Sequence, residues 1–153
     1  MRRILLGAMF LSAGAVGLAM AQGAGGISAP PEAFIAARQA GMDLQFALVG
    51  GLKRAMDAKA DVKPAKDAGD AILAWSRAIP GLFPAGSDRG RDTRALPVIW
   101  SDRAGFEKAA ATLGNAAAQL SKAANAGDQA EFATAFQATA QACTGCHRTY
   151  RAR

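Results

Sequence analysis

The amino-acid sequence predicts an all-α fold, an antiparallel up-down four-helix bundle with a long loop between helices two and three. Four segments of the 153-residue chain carry apolar residues at the alternating spacing of three and four that is typical of an amphipathic helix. Alanine, the strongest helix former, is abundant, and very little of the sequence has the alternation of a strand. Short connections after the first and third segments favour antiparallel packing of neighbouring helices.

The predicted helices have recognisable ends. The proline pair at 30–31 suits the start of the first helix, because proline fits a first turn, and Pro80-Gly81 stops the second. Asp128 and Glu131 form a capping-box pattern before the fourth helix, although Asp replaces the usual Ser or Thr. The predicted bounds are about 31–59, 64–79, 102–125 and 129–151.

The apolar stripe of each helix predicts which side chains face the core. One charged residue, Arg38, lies on the first stripe, and two cysteines lie on the fourth. The predicted stripes are Phe34, Arg38, Met42, Phe46 (or Gln45), Val49, Leu52 and Met56 on the first helix, Ala68, Ile72, Trp75 and Ile79 on the second, Phe106, Ala110, Leu113, Ala117, Leu120 and Ala124 on the third, and Phe132, Phe136, Thr139, Cys143, Cys146 and Tyr150 on the fourth.

The connection between the second and third helices, 80–100, is 21 residues long. A structureless stretch of that length in a compact domain is usually functional or disordered. Phe83, Leu96 and Trp100 are apolar residues that can fix it to the bundle.

The N-terminus has the pattern of a secretory signal. Two arginines precede an apolar run at 4–20, and Ala19-Met20-Ala21 fits a signal-peptidase site. The alternative is a membrane anchor, but the run is at the lower limit of a spanning helix, for which about 20 residues are needed, and glycines interrupt it. We therefore expect no stable membrane insertion after processing. The expected organisation is a cleaved signal peptide at 1–21, a flexible leader at 22–30 and a single four-helix domain at 31–153.

The charge balance argues against a nucleic-acid partner. The formal net charge is +6, and it falls to +4 when Arg2 and Arg3 leave with the signal peptide. No basic run is interleaved with aromatic residues, as is typical of nucleic-acid-binding segments. A small, distributed positive charge affects mainly solubility.

The sequence Cys143-Thr-Gly-Cys146-His147 is the C-x-x-C-H motif of covalent haem attachment. On a helix, Cys143 and Cys146 lie three residues apart on one face, so that they can form thioethers with the two vinyl groups of one porphyrin. His147 lies on the same side and can reach the iron as an axial ligand. The motif therefore predicts one covalently bound haem c.

Three alternatives explain the motif less well. A zinc site needs about four ligands, but the chain has two cysteines and one histidine, all in this motif. A thioredoxin-like redox pair requires a βαβ context. A simple disulfide leaves His147 unexplained and leaves a small, partly polar set of residues on the inward face of the helix.

The first helix supplies the candidates for the other side of the haem. Because His147 is the only histidine, a second histidine ligand is impossible. Met42 is the obvious sixth ligand, although a methionine on such a stripe is more often core filler. Arg38 stands one turn earlier, and a haem propionate would neutralise its charge; alternatively, the side chain reaches solvent at the bundle end. Gln39 is a weaker candidate for the same contact.

Several parts of the sequence together resemble the class II cytochromes c, the cytochrome c′ family, and the resemblance spans essentially the whole chain after the signal peptide. The haem motif stands close to the C-terminus, whereas class I cytochromes c carry it near the N-terminus. Cytochrome c′ is itself a standard example of an up-down bundle, so the resemblance also implies the predicted fold. The matching parts are the run from Cys143 to Arg151, the pattern Arg38-Gln39-x-x-Met42, the pair Phe83-Pro84 and the run from Ala95 to Asp102.

The resemblance implies a bacterial, periplasmic haem protein, often a homodimer, with a five-coordinate, high-spin iron. His147 is then the proximal ligand, and Met42 blocks the distal face. In the c-556 branch of the family, the methionine equivalent to Met42 ligates the iron and gives a six-coordinate, low-spin haem. The other cofactor-binding residues that the resemblance implies are Arg38 and Gln39 near the propionates, Arg151 on the proximal side, and Thr93 and Arg94 at the haem edge.

The expected function is gas binding or electron transfer. An open but crowded distal site suits small gases such as nitric oxide and carbon monoxide, whereas ligation by Met42 suits an electron carrier that serves redox partner proteins. Peroxidase chemistry needs a distal acid–base residue such as His, and none is available. We therefore do not expect an enzyme.

Overall fold

A computed structural model of the chain describes residues 29–90 and 92–153. The predicted signal peptide and most of the predicted leader lie outside the described residues. Within these residues the fold is all-α, with one isolated β-bridge and no strand, and no helix has the length and apolarity needed to cross a membrane. The predicted fold class is confirmed. The helices are α1 Pro31–Asp57, α2 Lys66–Ala78, α3 Val98–Ser101, α4 Arg103–Ala126 and α5 Gln129–Tyr150, with 3₁₀ turns at Lys63–Ala65 and Ile79–Leu82.

Local chemistry explains several helix ends. α1 ends just before Lys59, whose φ of 50° lies in the left-handed region. Asp102 caps α4, since its Oδ1 accepts the backbone N–H of Gly105 at 3.1 Å. Gly127 ends α4 with a φ of 72°, a conformation that glycine adopts without steric penalty.

The predicted capping box before α5 is half formed. The Asp128 carboxylate accepts the backbone N–H groups of Ala130 and Glu131, each at 3.0 Å. The Asp128 N–H, which Glu131 accepts in a complete box, donates instead to the Ala123 carbonyl at 3.1 Å. That carbonyl lies in the last turn of α4, where carbonyls lack helical partners, so the short α4–α5 connection supplies the bond.

α4 lies at the centre of the bundle, with α2 and α5 packed along it. Every residue of its predicted stripe is buried, including Phe106, Leu113 and Leu120. Gly69 lets α2 approach α4 closely, because a Cβ at that position would overlap the backbone of Ser121. These three helices therefore share one apolar core.

α1 contacts the other helices less extensively. Ile35 is fully buried, and the Trp75 ring of α2 lies against Gly41, where any Cβ would overlap it. The predicted inward stripe is wrong at Phe46, which is 83% exposed, whereas its alternative, Gln45, is half-buried. The reason is a cavity that separates this part of α1 from α5.

The long connection is ordered by hydrogen bonds to its backbone carbonyls. Arg103 of α4 donates to the carbonyls of Pro80 at 2.7 Å and Phe83 at 3.1 Å, and Trp100 Nε1 donates to the Pro84 carbonyl at 3.0 Å. The expectation of an irregular stretch up to residue 100 is wrong at α3. A helix of four residues is too short to show a helical period in the sequence.

The end of α5 is tied to the same connection. The Leu96 N–H donates to the Tyr150 carbonyl at 3.0 Å, and the Ala152 N–H donates to the Arg94 carbonyl at 2.8 Å. These bonds hold residues 94–96 beside the last turn of α5, where the C-x-x-C-H motif ends.

Candidate haem site

A cavity of about 720 Å³ lies between α1 and the end of α5, with the long connection along one side. This volume is within the range of about 300–1,000 Å³ that is typical of ligand sites. Of the nine predicted site residues, Cys143 is not part of the cavity wall, and the other eight line it. The eight are Arg38, Gln39, Met42, Thr93, Arg94, Cys146, His147 and Arg151.

The last two turns of α5 present the attachment motif. The helix continues unbroken through Cys143, Cys146 and His147, so the two cysteines lie one turn apart on one face. Both are half-buried against the core and are not joined as a disulfide. Burial raises the pKa of each thiol, and the neighbouring Cys143 raises that of Cys146 further. The helix therefore holds two neutral thiols one turn apart, with that of Cys146 at the cavity wall.

His147 stands at the cavity wall in the turn that follows Cys143. Although the residue is largely exposed, partial burial of its ring lowers the pKa of the imidazole, and the positive charge of Arg151 lowers it further. A lowered pKa favours the neutral imidazole, which is the form that ligates a metal ion.

Arg38 reaches the cavity from α1 and is only 4% exposed. Its guanidinium donates to Ser87 Oγ at 2.9 Å, to the Ser87 carbonyl at 2.7 Å and to Thr93 Oγ1 at 2.7 Å. Burial lowers the pKa of Arg38, but a guanidinium stays charged in proteins. The alternative in which Arg38 reaches solvent is therefore wrong.

The charge of the cavity wall fits an anionic ligand. No carboxylate among residues 29–90 and 92–153 forms an ion pair with Arg38, whose acceptors are all neutral. Arg94 and Arg151 also line the cavity, and Asp43 is its acidic residue. Three arginines and one aspartate leave two surplus positive charges, which would balance the two negative charges of the haem propionates. Together with two thiols and an imidazole, this wall suits a haem.

Sequence reasoning missed several residues of the site. Asp43 and Ile99 line the cavity, and Phe46 does so one turn after Met42. The four-residue spacing places Phe46 on the same stripe as Met42, but the sequence did not identify it as a residue of the haem site. Ser87 carried no signal, because a serine among glycines and a proline looks like an ordinary turn residue.

The fold and the site define a class of protein, a helical bundle with a haem-attachment motif at the end of its last helix. A family model described as cytochrome c′ matches residues 33–151. The chain therefore belongs to the cytochrome c′ family, and its cofactor is a covalently attached c-type haem with its iron. The predicted family and cofactor are confirmed.

Individual relatives agree with this assignment. Cytochrome c′ from Pararhodospirillum photometricum is 35% identical over 127 residues, which cover 80% of this chain and 99% of that protein. A nitric oxide complex of a mutant cytochrome c prime from Alcaligenes xylosoxidans superimposes with a TM-score of 0.74 at 28% identity and covers 82% of this chain and 98% of its own. The structure of a cytochrome c′ with an unusual ligand-controlled dimer dissociation superimposes with a TM-score of 0.77 at 27% identity. The match covers 82% of this chain and 99% of that protein.

Proposed function

We propose that the chain is a periplasmic monohaem cytochrome whose five-coordinate, high-spin iron binds small gases such as nitric oxide and carbon monoxide and takes part in electron transfer. Cys143 and Cys146 would form the thioethers, and His147 would ligate the iron. The observation that carries the proposal is that Met42 of α1 lines the same cavity as His147 of α5. When bound, the haem supplies an iron that takes diatomic ligands and exchanges one electron.

The α1 side of the cavity supplies the distal wall. Met42 and Phe46 line it from α1, and Phe83 lines it from the long connection. Side chains of this size would restrict access to the iron and favour a diatomic gas over a bulky ligand, since steric access is one of the main determinants of ligand choice at haem iron. The only histidine of the chain is His147, so no distal imidazole is available for acid–base catalysis. We therefore propose binding and electron exchange, and no catalytic turnover.

The remaining predicted site residues would hold the haem at its edges. Arg38 is the strongest candidate for a propionate partner, because it is buried, charged and paired only with neutral acceptors. Gln39 and Thr93 line the cavity beside it. Arg94 and Arg151 line the cavity and are exposed. The backbone hydrogen bond from Ala152 to Arg94 holds them near each other, and both would meet the haem edge near His147.

Titration of the reduced protein with nitric oxide tests the proposal. We expect one nitric oxide to bind per haem, with a shift of the Soret band, and carbon monoxide to bind much faster than tert-butyl isocyanide. The relative solved as a nitric oxide complex supports this expectation. A ferrous protein that binds neither gas would overturn the gas-binding proposal, and electron transfer would then be the remaining function.

The second candidate is a low-spin electron carrier of the c-556 type. Its motivation is the same placement of Met42, whose thioether would ligate the iron instead of packing over it. Ligation by methionine and histidine raises the reduction potential and suits exchange with redox partner proteins. The spin state of the iron separates this candidate from the first.

We further propose a homodimer formed through the outer face of α1. Leu44 is 67% exposed there, with the exposed small residues Ala40 and Ala47 one turn away on either side. The relative with a ligand-controlled dimer dissociation supports this assembly, because it forms a dimer. Sedimentation equilibrium should show a dimer for the wild type and a monomer for Leu44→Glu; a wild type that stays monomeric at high concentration contradicts the proposal.

Export to the periplasm is proposed from the N-terminal signal pattern. Processing after Ala21 would give a mature chain that begins at Gln22. N-terminal sequencing of haem-containing protein from a periplasmic extract checks this. An intact Met1 terminus in a membrane fraction would show an anchor instead.

A further inference from the structure

We propose that Ser87 is a positioning residue that fixes the Arg38 guanidinium at the cavity wall and thereby raises the reduction potential of the haem. The proposal rests on the haem attachment proposed above and extends it to a residue of the long connection. Ser87 is distant from Arg38 in sequence, 49 residues along the chain, and is not part of the cavity wall itself. Its effect on the haem therefore has to pass through Arg38.

Ser87 accepts two hydrogen bonds from the Arg38 guanidinium. It is 0% exposed, its Oγ accepts from Nη1 at 2.9 Å, and its carbonyl accepts from Nη2 at 2.7 Å. The Ser87 hydroxyl donates its own hydrogen to the Pro84 carbonyl at 2.9 Å. Because a hydroxyl has one hydrogen and two lone pairs, that bond leaves only lone pairs to face the guanidinium.

Two further groups fix the guanidinium from other sides. Thr93 Oγ1 accepts from Nη2 at 2.7 Å, and the Phe83 ring centroid lies 4.4 Å from the Arg38 Cζ. The Phe83 and Pro84 carbonyls are in turn bonded by side chains of α4 and α3. Ser87, whose hydroxyl is bonded to the Pro84 carbonyl, is therefore anchored to the bundle through this part of the connection.

The fixed charge acts on the iron through space. The protein partners of Arg38 in the described part of the chain are neutral, so its positive charge is available to the haem and, paired with a propionate as proposed above, would offset the negative charge of that carboxylate. A buried charge is screened far less than an exposed one. Oxidation of the iron adds a positive charge, which a nearby fixed cation opposes. Arg38 held at the wall therefore favours the ferrous state, and release of Arg38 lowers the potential.

A double-mutant cycle on the reduction potential tests the proposal. Spectroelectrochemical titration compares the wild-type holoprotein with Ser87→Ala, Arg38→Met and the double variant. We expect both single variants to lower the midpoint potential, Arg38→Met more than Ser87→Ala. In the Arg38→Met background, Ser87→Ala should have no further effect, because its action passes through Arg38.

Ser76→Ala is the matched control. Ser76 is also buried, at 3% exposed, and its hydroxyl donates to a backbone carbonyl, that of Leu73 at 2.7 Å. Loss of either buried hydroxyl should lower the free energy of unfolding, as measured with urea. Only Ser87→Ala should move the potential, and this separates positioning of a charge from a merely structural role.

Two results would overturn the proposal. One is an unchanged potential in Ser87→Ala, and the other is an equal shift in the wild-type and Arg38→Met backgrounds. If Arg38→Met does not fold, Arg38→Lys replaces it in the cycle, since an ammonium cannot span the same acceptors as the guanidinium fork. Haem staining of the denatured wild type comes first. Absence of covalent haem there refutes the attachment and the Ser87 proposal together, whereas an unmoved potential refutes the Ser87 proposal alone.

Discussion

At the scale of single residues, the position of the Met42 sulfur distinguishes a gas-binding, five-coordinate haem from a six-coordinate electron carrier. A thioether that bonds to the iron fills the sixth position and gives a low-spin haem, whereas one that only packs over the iron leaves the position open to a diatomic gas. Both cases use the same cavity-lining side chain. The motif residues Cys143, Cys146 and His147 are common to the two.

Substitution of Met42 tests this choice. Met42→Leu keeps the volume and removes the sulfur, so we expect the spin state to stay the same in both oxidation states. Met42→Ala should accelerate carbon monoxide binding by opening the wall, as followed by flash photolysis. Met56→Leu on the same helix is the control and should change neither property. Conversion from low to high spin in Met42→Leu would show that the sulfur is a ligand.

Part of the candidate site could be predicted from the sequence, and the rest could not, for physical reasons. The placement of Cys143, Cys146 and His147 on one helix could be predicted, because it depends only on local sequence and spacing. The contact between Arg38 and Ser87 depends on how the long connection folds back onto α1, and no local pattern encodes it. The exposure of Phe46 likewise depends on a cavity that only the assembled helices create.

Helix packing depends on close approaches that only glycine permits. Gly69 of α2 faces the Ser121 backbone of α4, and Gly41 of α1 faces the Trp75 ring. These contacts bring helix axes near each other, and a methyl group would force them apart. The helix positions could be predicted from apolar spacing, but the glycine contacts could not, because a helical glycine has no periodic signature of its own.

Gly69→Ala is expected to destabilise the fold. Overpacking typically costs about 1–3 kcal/mol, and the overlap here is with backbone atoms, so we expect a cost at the upper end of this range, above the gain of about 1 kcal/mol in helix propensity. Gly81→Ala is the control, because a Cβ there meets nothing within 4 Å, and its effect should stay within about 0.5 kcal/mol. Urea denaturation measures both; equal free energies of unfolding for the two variants would contradict the close α2–α4 contact.

Asp70 joins α2 to α4 in a pH-dependent way. Its carboxylate accepts from Lys66 Nζ and from Ser121 Oγ, both at 2.5 Å, and these bonds lower the pKa of Asp70. A carboxyl with a lowered pKa in the folded state adds stability above its unfolded pKa, and that stability is lost as the pH falls through the folded pKa. Stability from this bond is thus present at neutral pH and absent in strong acid.

Ser121→Ala should therefore be destabilising at neutral pH and clearly less so below the pKa of Asp70 in the folded protein. Thermal denaturation over a pH series measures the difference from the wild type. Thr112→Val removes a hydroxyl that donates to the Lys108 carbonyl and touches no carboxylate bond, so its effect should not vary with pH. A Ser121→Ala effect that is constant with pH would mean that the bond to Asp70 contributes nothing.

On the scale of the whole molecule, the candidate haem site lies between α1 and the end of α5. α2, α4 and α5 form most of the core, and α1 joins it through Leu52, while Arg38 bonds α1 to the long connection. A haem attached to α5, with Met42 and Arg38 of α1 along its cavity, would link α1 to α5. The same helix, which would form the proposed distal wall, carries the proposed dimer face at Leu44.

The absorption spectrum of the covalent holoprotein in both oxidation states tests the central proposal most directly, because it reports the haem type and the spin state of the iron together. We predict high-spin spectra for the ferric and the ferrous protein, in agreement with His147 as the single side-chain ligand and an open distal position. A low-spin ferrous spectrum, with a sulfur-to-iron charge-transfer band in the ferric protein, would contradict this prediction and would establish Met42 as the sixth ligand.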